Sequence, residues 1–354
     1  MQFFGQGKPP VGVVFDSDMG NNIGAALALA LLYGLDGKNE ARVVSVSVSK
    51  SNLNSAAFSE AIGRFYAGPV SGAFGGFGRT LPIGMSVEGK MPEDTPMLTQ
   101  TLAKQKPDGT QLYAHNIHQL NDTADPAALI RNAFTAQHDQ NAMVILAGPA
   151  TNLVKAFSLP GVKELAGRKL RCVAFAAGAF PDGKPEFNIT ADIPAARKLF
   201  EECPVEIIAA GAEIGEALPY PGSSIETDFA WSPAHPVADA YRAFHTMPYD
   251  APASAMAAVL YAIRPKEGYF KLSEPGTISV LEDGRTKFTP SADGKHRHLI
   301  YDPTQKERIL KAYTEIASAK PVVKPRFRPK KADDAKPDEK PAAKPEDKKD
   351  PPVL

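Results

Sequence analysis

The segment that decides the fold is Val11–Gly34, which reads VGVVFDSDMGNNIGAALALALLYG. It opens with a continuous apolar run, which is typical of a strand covered on both faces of a parallel sheet. Its second half, Ile23–Gly34, is almost entirely apolar. Because this stretch is shorter than the about 20 residues that a membrane span needs, it predicts a buried crossover helix. The segment therefore predicts a strand–turn–helix unit with Asp16 and Asp18 at the turn.

Strand and helix patterns alternate through the rest of the chain. Ala41–Ser49 alternates valine with polar residues at period two, as a strand does. Pro126–Gln137 has the apolar spacing of a helix, with Asp125 as its N-cap. Such alternation predicts an α/β fold with an open, mostly parallel sheet and helices on both faces, Rossmann-like in arrangement. Further helices are predicted at Ala56–Tyr66, Asn152–Phe157, Pro194–Glu201, Pro236–Phe244, Ser254–Ile263 and Thr304–Ser318, further strands at Met143–Ala147, Leu170–Ala177 and Val205–Ala210, and an antiparallel pair at Ile278–Leu281 and Leu299–Tyr301.

The composition is that of a globular protein and excludes several classes. Hydrophobic residues make up 43% of the 354 residues, and 40 basic side chains balance 40 acidic ones. A zero net charge provides no overall field for capturing nucleic acid. Cys172 and Cys203 are too few for a disulfide scaffold or a CxxC metal site, and we expect two inert thiols.

The domain organisation follows from a change in composition near the end of the chain. Residues 1–318 are predicted to form one α/β domain, and residues 319–354 a disordered tail rich in lysine and proline. The basic start of this tail is a candidate contact for an anionic polymer, and a solvated tail is the alternative. The first ten residues have no basic region followed by an apolar core, so no signal peptide is predicted and a cytoplasmic location is the default expectation.

Candidate functional residues follow the predicted strands, because ligands of such sheets bind beyond the carboxyl ends of the strands. Asp16 and Asp18 project to the same side of an extended chain, and two carboxylates there suit a hard cation or a sugar diol. Alternatively, both accept backbone N–H bonds in the turn while Asn22 caps the helix. The weakly periodic segment 82–125 is predicted to be an excursion over the same rim and a candidate lid.

Three later motifs complete the set. Gly148–Asn152 (GPATN) breaks a strand and begins a helix. Glu186 and Asn188 share a side if the chain is extended, and offer an acceptor and an amide to hydroxyl groups. Asp250 precedes an apolar helix. Each motif also has an ordinary structural interpretation, as a turn, a solvated loop or a helix cap.

Taken in order, these motifs resemble those of the inosine–uridine nucleoside hydrolase family. That family carries DxDxG followed by DDAxA, then GPxTN, then EFN-x-x-x-DPxAA, and a late His-Asp. The matching stretches, which span about residues 11–265, are Asp16–Gly20, Gly148–Asn152, Glu186–Ala196 and Tyr249-Asp250. Ser49–Asn52 also resembles the family's TxGN. The resemblance implies hydrolysis of the N-glycosidic bond of a ribonucleoside or related ribosyl compound.

The resemblance also implies a role for each matched residue. Ca²⁺ would be held by Asp18, the carbonyl of Thr151 and Asp250, and would bind the ribose hydroxyls and a water. Asp18 would take a proton from that water for its attack on C1′. The residues implied or suited to hold the sugar are Asn52, Glu186, Asn188 and Asp16.

The chain departs from the family at the DDAxA motif. Aligned on Ala26–Leu29, Gly24 and Ala25 stand where the two aspartates belong, and an ungapped alignment instead puts Asn22 and Ile23 there. We prefer the first register, because divergent relatives have a longer loop. Loss of a bidentate carboxylate removes two oxygens and one negative charge. If this costs about 2–4 kcal/mol, Ca²⁺ affinity falls about 10²–10³-fold.

Three interpretations follow. The first is a nucleoside hydrolase with a weakened metal site, and the second is an impaired pseudoenzyme or sugar-binding module on the same fold. The third is an envelope-associated protein whose tail makes the main contacts. Tyr249 replaces the family's usual His, so no residue is assigned to protonate the leaving base. The expected partner is a small nucleoside or ribosyl compound, and the resemblance implies a homo-oligomer.

Overall fold

The computed structural model describes residues 9–67, 81–88, 91–181 and 183–322. Most of the predicted tail, residues 323–354, lies outside the described residues. The strands are β1 (Val11–Ser17), β2 (Ala41–Val48), β3 (Ile83–Met85), β4 (Ala142–Ala147), β5 (Leu170–Phe175), β6 (Glu206–Ala209), β7 (Lys271–Leu272), β8 (Gly276–Val280), β9 (Thr286–Pro290) and β10 (His296–Ile300).

The helices alternate with these strands over most of the chain. They are α1 (Ile23–Gly37), α2 (Leu53–Ala67), α3 (Pro96–Leu102), α4 (Pro126–Thr135), α5 (Thr151–Phe157), α6 (Val162–Lys169), α7 (Phe187–Thr190), α8 (Ile193–Glu202), α9 (Ala212–Ala217), α10 (Ser223–Thr227), α11 (Pro236–Phe244), α12 (Ser254–Ile263) and α13 (Lys306–Ala317). Among the described residues, no helix is both long and apolar enough to cross a bilayer.

The strands form one open sheet in the order β3-β2-β1-β4-β5-β6-β10-β8-β9, with β7 paired to β10. Pairing is parallel from β3 through β6 to β10, and antiparallel where β8 meets β10 and β9. The predicted open, mostly parallel α/β sheet is therefore confirmed. Because the strand order reverses between β1 and β4, the carboxyl ends of these two strands flank the crevice where such sheets bind ligands.

The core lies on both faces of this sheet. In β1, Val13 and Phe15 pack into the apolar cluster on the side of α1, α2 and α11–α13, whereas Val14 packs into the cluster on the side of α4–α6 and α8. Burial on both faces explains the continuous apolar run of β1. Cys172 and Cys203 are free and buried, and burial raises their thiol pKa values to about 12 and 11.

Helix α1 begins where the sequence predicts. The side-chain oxygen of Asn22 accepts a 3.2 Å hydrogen bond from the backbone N–H of Ala25 and so caps the helix. Asp125 caps α4 in the same way, by accepting from Ala128. The first turn of α1 carries no acidic residue.

Some short elements were not predicted or differ from prediction. The segment 82–125 is not only an excursion, because β3 joins the sheet beside β2 and α3 follows it. The predicted antiparallel pairing of Ile278–Leu281 with Leu299–Tyr301 is wrong. β8 and β10 share one residue pair, Gly276 with His296, while the unpredicted β9 is the main partner of β8 and Leu299 pairs with β7. Helices α6, α9 and α10 were also missed. These elements are short, and their pairing or packing partners are far away in sequence, so local periodicity does not reveal them.

Candidate functional site

The site is built around Asp16, at the carboxyl end of β1. Ser47 lies directly across from Asp16 in the parallel pairing of β1 with β2, and its hydroxyl donates to the Asp16 carboxylate. The amide of Asn152, at the start of α5, donates to the same carboxylate oxygen at 2.8 Å. Asp16 is fully buried, and burial raises its pKa to about 7 despite these two donors, with a further contribution from the negative charge of Asp18.

Asp18 is also fully buried, two residues further along the chain. Its Oδ2 atom accepts a 3.1 Å hydrogen bond from the side-chain amide of Asn21. Burial raises the Asp18 pKa to about 6, while the Asn21 bond and the positive charge of Lys50 act in the opposite direction. The Asp18 carboxyl is therefore ionised above about pH 6 and can accept a proton there.

Lys50 is the cationic side chain of this site. Only 1% of its surface is exposed, and its ammonium donates a 2.7 Å hydrogen bond to the side-chain oxygen of Asn21. Asn21 thus bridges Lys50 and Asp18 through the two ends of its amide. Burial lowers the Lys50 pKa, and the negative charges of Glu93 and Asp18 raise it. Sequence reasoning gave Lys50 no role, although its position just after β2 placed it on the predicted rim.

The GPATN motif brings β4 against Asp18. A Cβ atom on Gly148 would lie 2.3 Å from the backbone nitrogen of Asp18, so only glycine permits this approach. Thr151 begins α5, and its hydroxyl donates a 2.7 Å hydrogen bond to Asp192, which also caps α8. The motif therefore joins β1, β4 and α8 at one rim.

Glu186 and Asn188 do not share the side of an extended chain, because α7 begins between them. Glu186 is the N-cap of α7 and also accepts a hydrogen bond from the backbone of Gly178 at 3.1 Å. Burial raises its pKa to about 7, and the charge of Asp18 contributes, so the two carboxyls lie within electrostatic reach. Asn188 is buried rather than solvated, and its amide donates to the carbonyl of Ala176 at 2.7 Å. The solvated-loop alternative is wrong for Asn188.

Four buried acceptor atoms of this rim have no hydrogen-bond partner among the described residues. They are Asp16 Oδ1, Asp18 Oδ1, Asn152 Oδ1 and Asn188 Oδ1. A buried acceptor without a partner costs about 1–3 kcal/mol, so a concentration of four is unusual away from a binding site. Groups that carry O–H or N–H donors would satisfy them.

Residues 91–95, which we call the cover segment, lie over the rim. The side-chain amide of Asn52 donates to Pro92 O and to Asp94 Oδ1, both at 2.9 Å, and its oxygen accepts from the N–H of Ser55. The amide of Asn21 contacts the sulfur of Met91 at 3.1 Å. The predicted sugar-binding residue Asn52 therefore caps α2 and holds the cover segment.

The cover segment has a second attachment. The Thr95 hydroxyl donates a 2.8 Å hydrogen bond to the carbonyl of Gly20, in the turn that follows Asp18. The predicted excursion over the rim is thus present in this part of 82–125, where it is bonded to Asn21, Asn52 and Gly20.

The loop of Asp250 comes to the start of α1. A Cβ atom on Gly24 would lie 3.2 Å from the carbonyl oxygen of Pro252. The Asp250 side chain itself is exposed, and its Oδ1 atom accepts a 2.8 Å hydrogen bond from the backbone N–H of Gly222. Tyr249 stacks on Tyr241, and its hydroxyl donates to the Tyr241 carbonyl at 2.7 Å.

The donor set does not fit the Ca²⁺ that the resemblance implies. Ca²⁺ takes six to eight oxygens and depends on carboxylates. The first turn of α1 provides none, Asp250 is engaged with Gly222, and Asp18 is linked through Asn21 to a lysine. In the part of the chain that the structure describes, no three His, Cys, Asp or Glu side chains are grouped so as to hold a metal ion.

The chain is similar to known proteins in structure and not detectably in sequence. No family model and no curated protein sequence matches the chain. A plant nucleoside hydrolase, PpNRh1, superposes with a TM-score of 0.62 at 18% identity, over 88% of this chain and 100% of that one. The inosine–uridine preferring nucleoside hydrolase of Bacillus anthracis gives 0.59 at 16% identity, over 87% and 99%. The type III effector XopQ, complexed with adenosine diphosphate ribose, gives 0.62 at 12% identity, over 88% and 95%.

These similarities define the class of fold. The chain has the nucleoside hydrolase fold, and the resemblance found in its motifs is confirmed at that level. The similarity runs over nearly the whole length of each of these three structures.

Proposed function

We propose that this chain is a nucleoside hydrolase-like protein that binds the ribosyl part of a nucleoside or related compound at the rim between β1 and β4. The observation that carries the proposal is the set of four unpartnered, buried acceptors on Asp16, Asp18, Asn152 and Asn188. Ribose hydroxyl groups carry O–H donors that would satisfy such acceptors. The location at the point where the strand order reverses supports the same site.

Hydrolysis of the N-glycosidic bond is a second candidate function, favoured by the state of Asp18. Its carboxyl is buried and has a pKa of about 6, which suits a general base near neutral pH. It would take a proton from a water that attacks C1′, while the bond to the base breaks and its electron pair goes to the base nitrogen. The Tyr249 hydroxyl already donates its hydrogen bond to the Tyr241 carbonyl, so no acid is assigned to protonate that nitrogen. We therefore expect binding to dominate and hydrolysis to be slow.

Calorimetry with inosine, uridine and adenosine diphosphate ribose tests the binding proposal. We expect at least one of them to bind, and the 2′,3′-dideoxy form of that ligand to bind at least about tenfold more weakly, because it lacks the diol. Equal binding of the dideoxy form, or no binding of any of the three at about 1 mM, would overturn the proposal.

Release of free base from the ligand that binds tests the second function. Asp18→Asn should remove any release, because an amide cannot accept the proton. Release that persists in Asp18→Asn would show that another group acts as the base.

A further inference from the structure

We infer that this site binds the ligand's diol without a divalent cation, with the Lys50 ammonium and the Asp18 carboxylate as its two ends. The inference rests on the proposed function and goes beyond it, because it specifies the chemistry of recognition. It follows from the way Asn21 connects the two side chains.

The connection fixes both charged groups. Lys50 Nζ lies 2.7 Å from Asn21 Oδ1, and Asn21 Nδ2 lies 3.1 Å from Asp18 Oδ2. Because the two ends of one amide are used in this way, the side chains of Lys50 and Asp18 are held on either side of Asn21. The Lys50 and Asp18 side chains are both buried, at 1% and 0% exposure, so neither one extends into solvent.

The hydrogen-bond donors of Lys50 and the acceptor of Asp18 that remain unused suit a diol. Lys50 has three N–H donors, and one of them is used by an acceptor among the described residues. Asp18 Oδ1 is a buried acceptor without a partner. A hydroxyl group both donates and accepts, so one hydroxyl of a vicinal pair can donate to Asp18 while the other accepts from Lys50.

The same arrangement disfavours a divalent cation. A cation bound to Asp18 would lie close to the Lys50 charge, and like charges in a buried site repel strongly. The carboxylates that would offset this repulsion are absent from the first turn of α1. The Asp250 carboxylate, which the resemblance assigns to the metal, is exposed and bonded to Gly222.

Two measurements test the inference on the full chain. In the first, thermal unfolding is followed with EDTA and with about 5 mM CaCl₂. We expect the same Tm in both, and a rise with CaCl₂ that Asp18→Asn removes would overturn the inference. This measurement needs no ligand, so it decides the metal question even if the proposed function fails.

In the second, the binding of whichever of inosine, uridine and adenosine diphosphate ribose the chain binds is measured in EDTA and in CaCl₂. We expect equal affinity in both and a loss of at least about tenfold in Lys50→Met. Lys155→Met is the matched control, because it removes a partly exposed lysine paired with Glu88 and should bind as the wild type does. Binding that requires CaCl₂ would overturn the inference while leaving the proposed function standing.

Normal ligand binding by Lys50→Met would also overturn the inference. If Lys50→Met does not fold, Lys50→Gln keeps a donor without the charge and should bind more weakly than wild type. Normal binding by Lys50→Gln would likewise contradict a role for the charge.

Discussion

The side-chain amide of Asn152 lies 2.8 Å from the carboxylate of Asp16. This bond joins the helix after β4 to the end of β1 across the point where the strand order reverses. The Ser47 hydroxyl, from β2, reaches the same carboxylate. Asp16 is therefore the residue at which three neighbouring segments of the sheet edge meet.

Removal of this amide should destabilise the protein. Asn152→Ala leaves the buried Asp16 carboxyl with one side-chain donor, and we expect a loss of about 1–3 kcal/mol in the free energy of unfolding. Urea denaturation measures it. Asn132→Ala, at an exposed position of α4, should change the free energy by less than about 0.5 kcal/mol. Equal stability of the two variants would contradict the structural role of Asn152.

The free energy of unfolding should fall as the pH rises, because the pKa of Asp16 is raised in the folded chain. Its pKa is about 7 when folded, against an ordinary value of 3.8, so between these values the folded chain binds more protons than the unfolded chain. The stabilising contribution is thus complete below about pH 4 and lost as the pH passes about 7, and it amounts to at most about 4 kcal/mol. Asp16→Asn does not titrate, so we expect a smaller decrease in urea-unfolding free energy between about pH 5 and pH 8 than in wild type.

The geometry at Asp16 makes this variant a fair test. Both side-chain donors bond to the same carboxylate oxygen, Oδ2, so the carbonyl oxygen of an asparagine can take its place. Asp283→Asn removes an exposed carboxylate and should keep the wild-type pH dependence. An unchanged pH dependence in Asp16→Asn would show that other buried carboxyls, such as Glu186, cause it.

The close approach of Gly148 to Asp18 predicts a large effect of one methyl group. In Gly148→Ala, the new Cβ would lie 2.3 Å from a backbone nitrogen, which cannot move aside as a flexible side chain would. We expect a loss of at least about 2 kcal/mol in unfolding free energy and loss of ligand binding, since Asp18 must shift. Gly167→Ala is the control: its Cβ would lie 3.6 Å from Pro204 Cβ, in ordinary contact. Similar stability of both variants would refute the packing argument.

The cover segment should loosen when Asp94 is changed. Asp94 accepts hydrogen bonds from the amides of Asn52 and Asn54, at 2.9 to 3.1 Å. We expect Asp94→Ala to speed amide hydrogen exchange in residues 91–95 by about tenfold, with less than about 1 kcal/mol lost in global stability, because these bonds are exposed. Glu93→Ala removes a neighbouring charge and leaves the bonds in place, so its exchange should stay near wild type. Unchanged exchange in Asp94→Ala would mean that Thr95 and Met91 suffice to hold the segment.

The longer elements could be predicted from local patterns alone. The apolar run of β1, the apolar helix α1 with its Asn22 cap, and the Asp125 cap of α4 all follow from period and side-chain chemistry within about a dozen residues. Strand β3 has three residues and joins the sheet by pairing with β2, far away in sequence. Such an edge strand has no periodicity of its own to detect.

The candidate site was predictable in its location but not in its bonding. Parallel strands end at one edge, so polar residues after β1 and β4 were expected to meet, and Asn152 does bond Asp16. What each side chain bonds to depended on neighbours from elsewhere in the chain. Asn52 holds the cover segment, Glu186 caps α7, and Asp250 bonds to Gly222.

The sequence by itself determined the class of fold and the edge of the sheet that carries the polar residues, because hydrophobic period and helix caps act over short stretches of chain. It also showed the absence of acidic residues at Gly24 and Ala25. Only the tertiary structure decided that Lys50 is buried beside Asp18, with Asn21 between them. Burial and charge pairing are properties of the space around a group, and that space is filled by segments that lie far apart in the sequence.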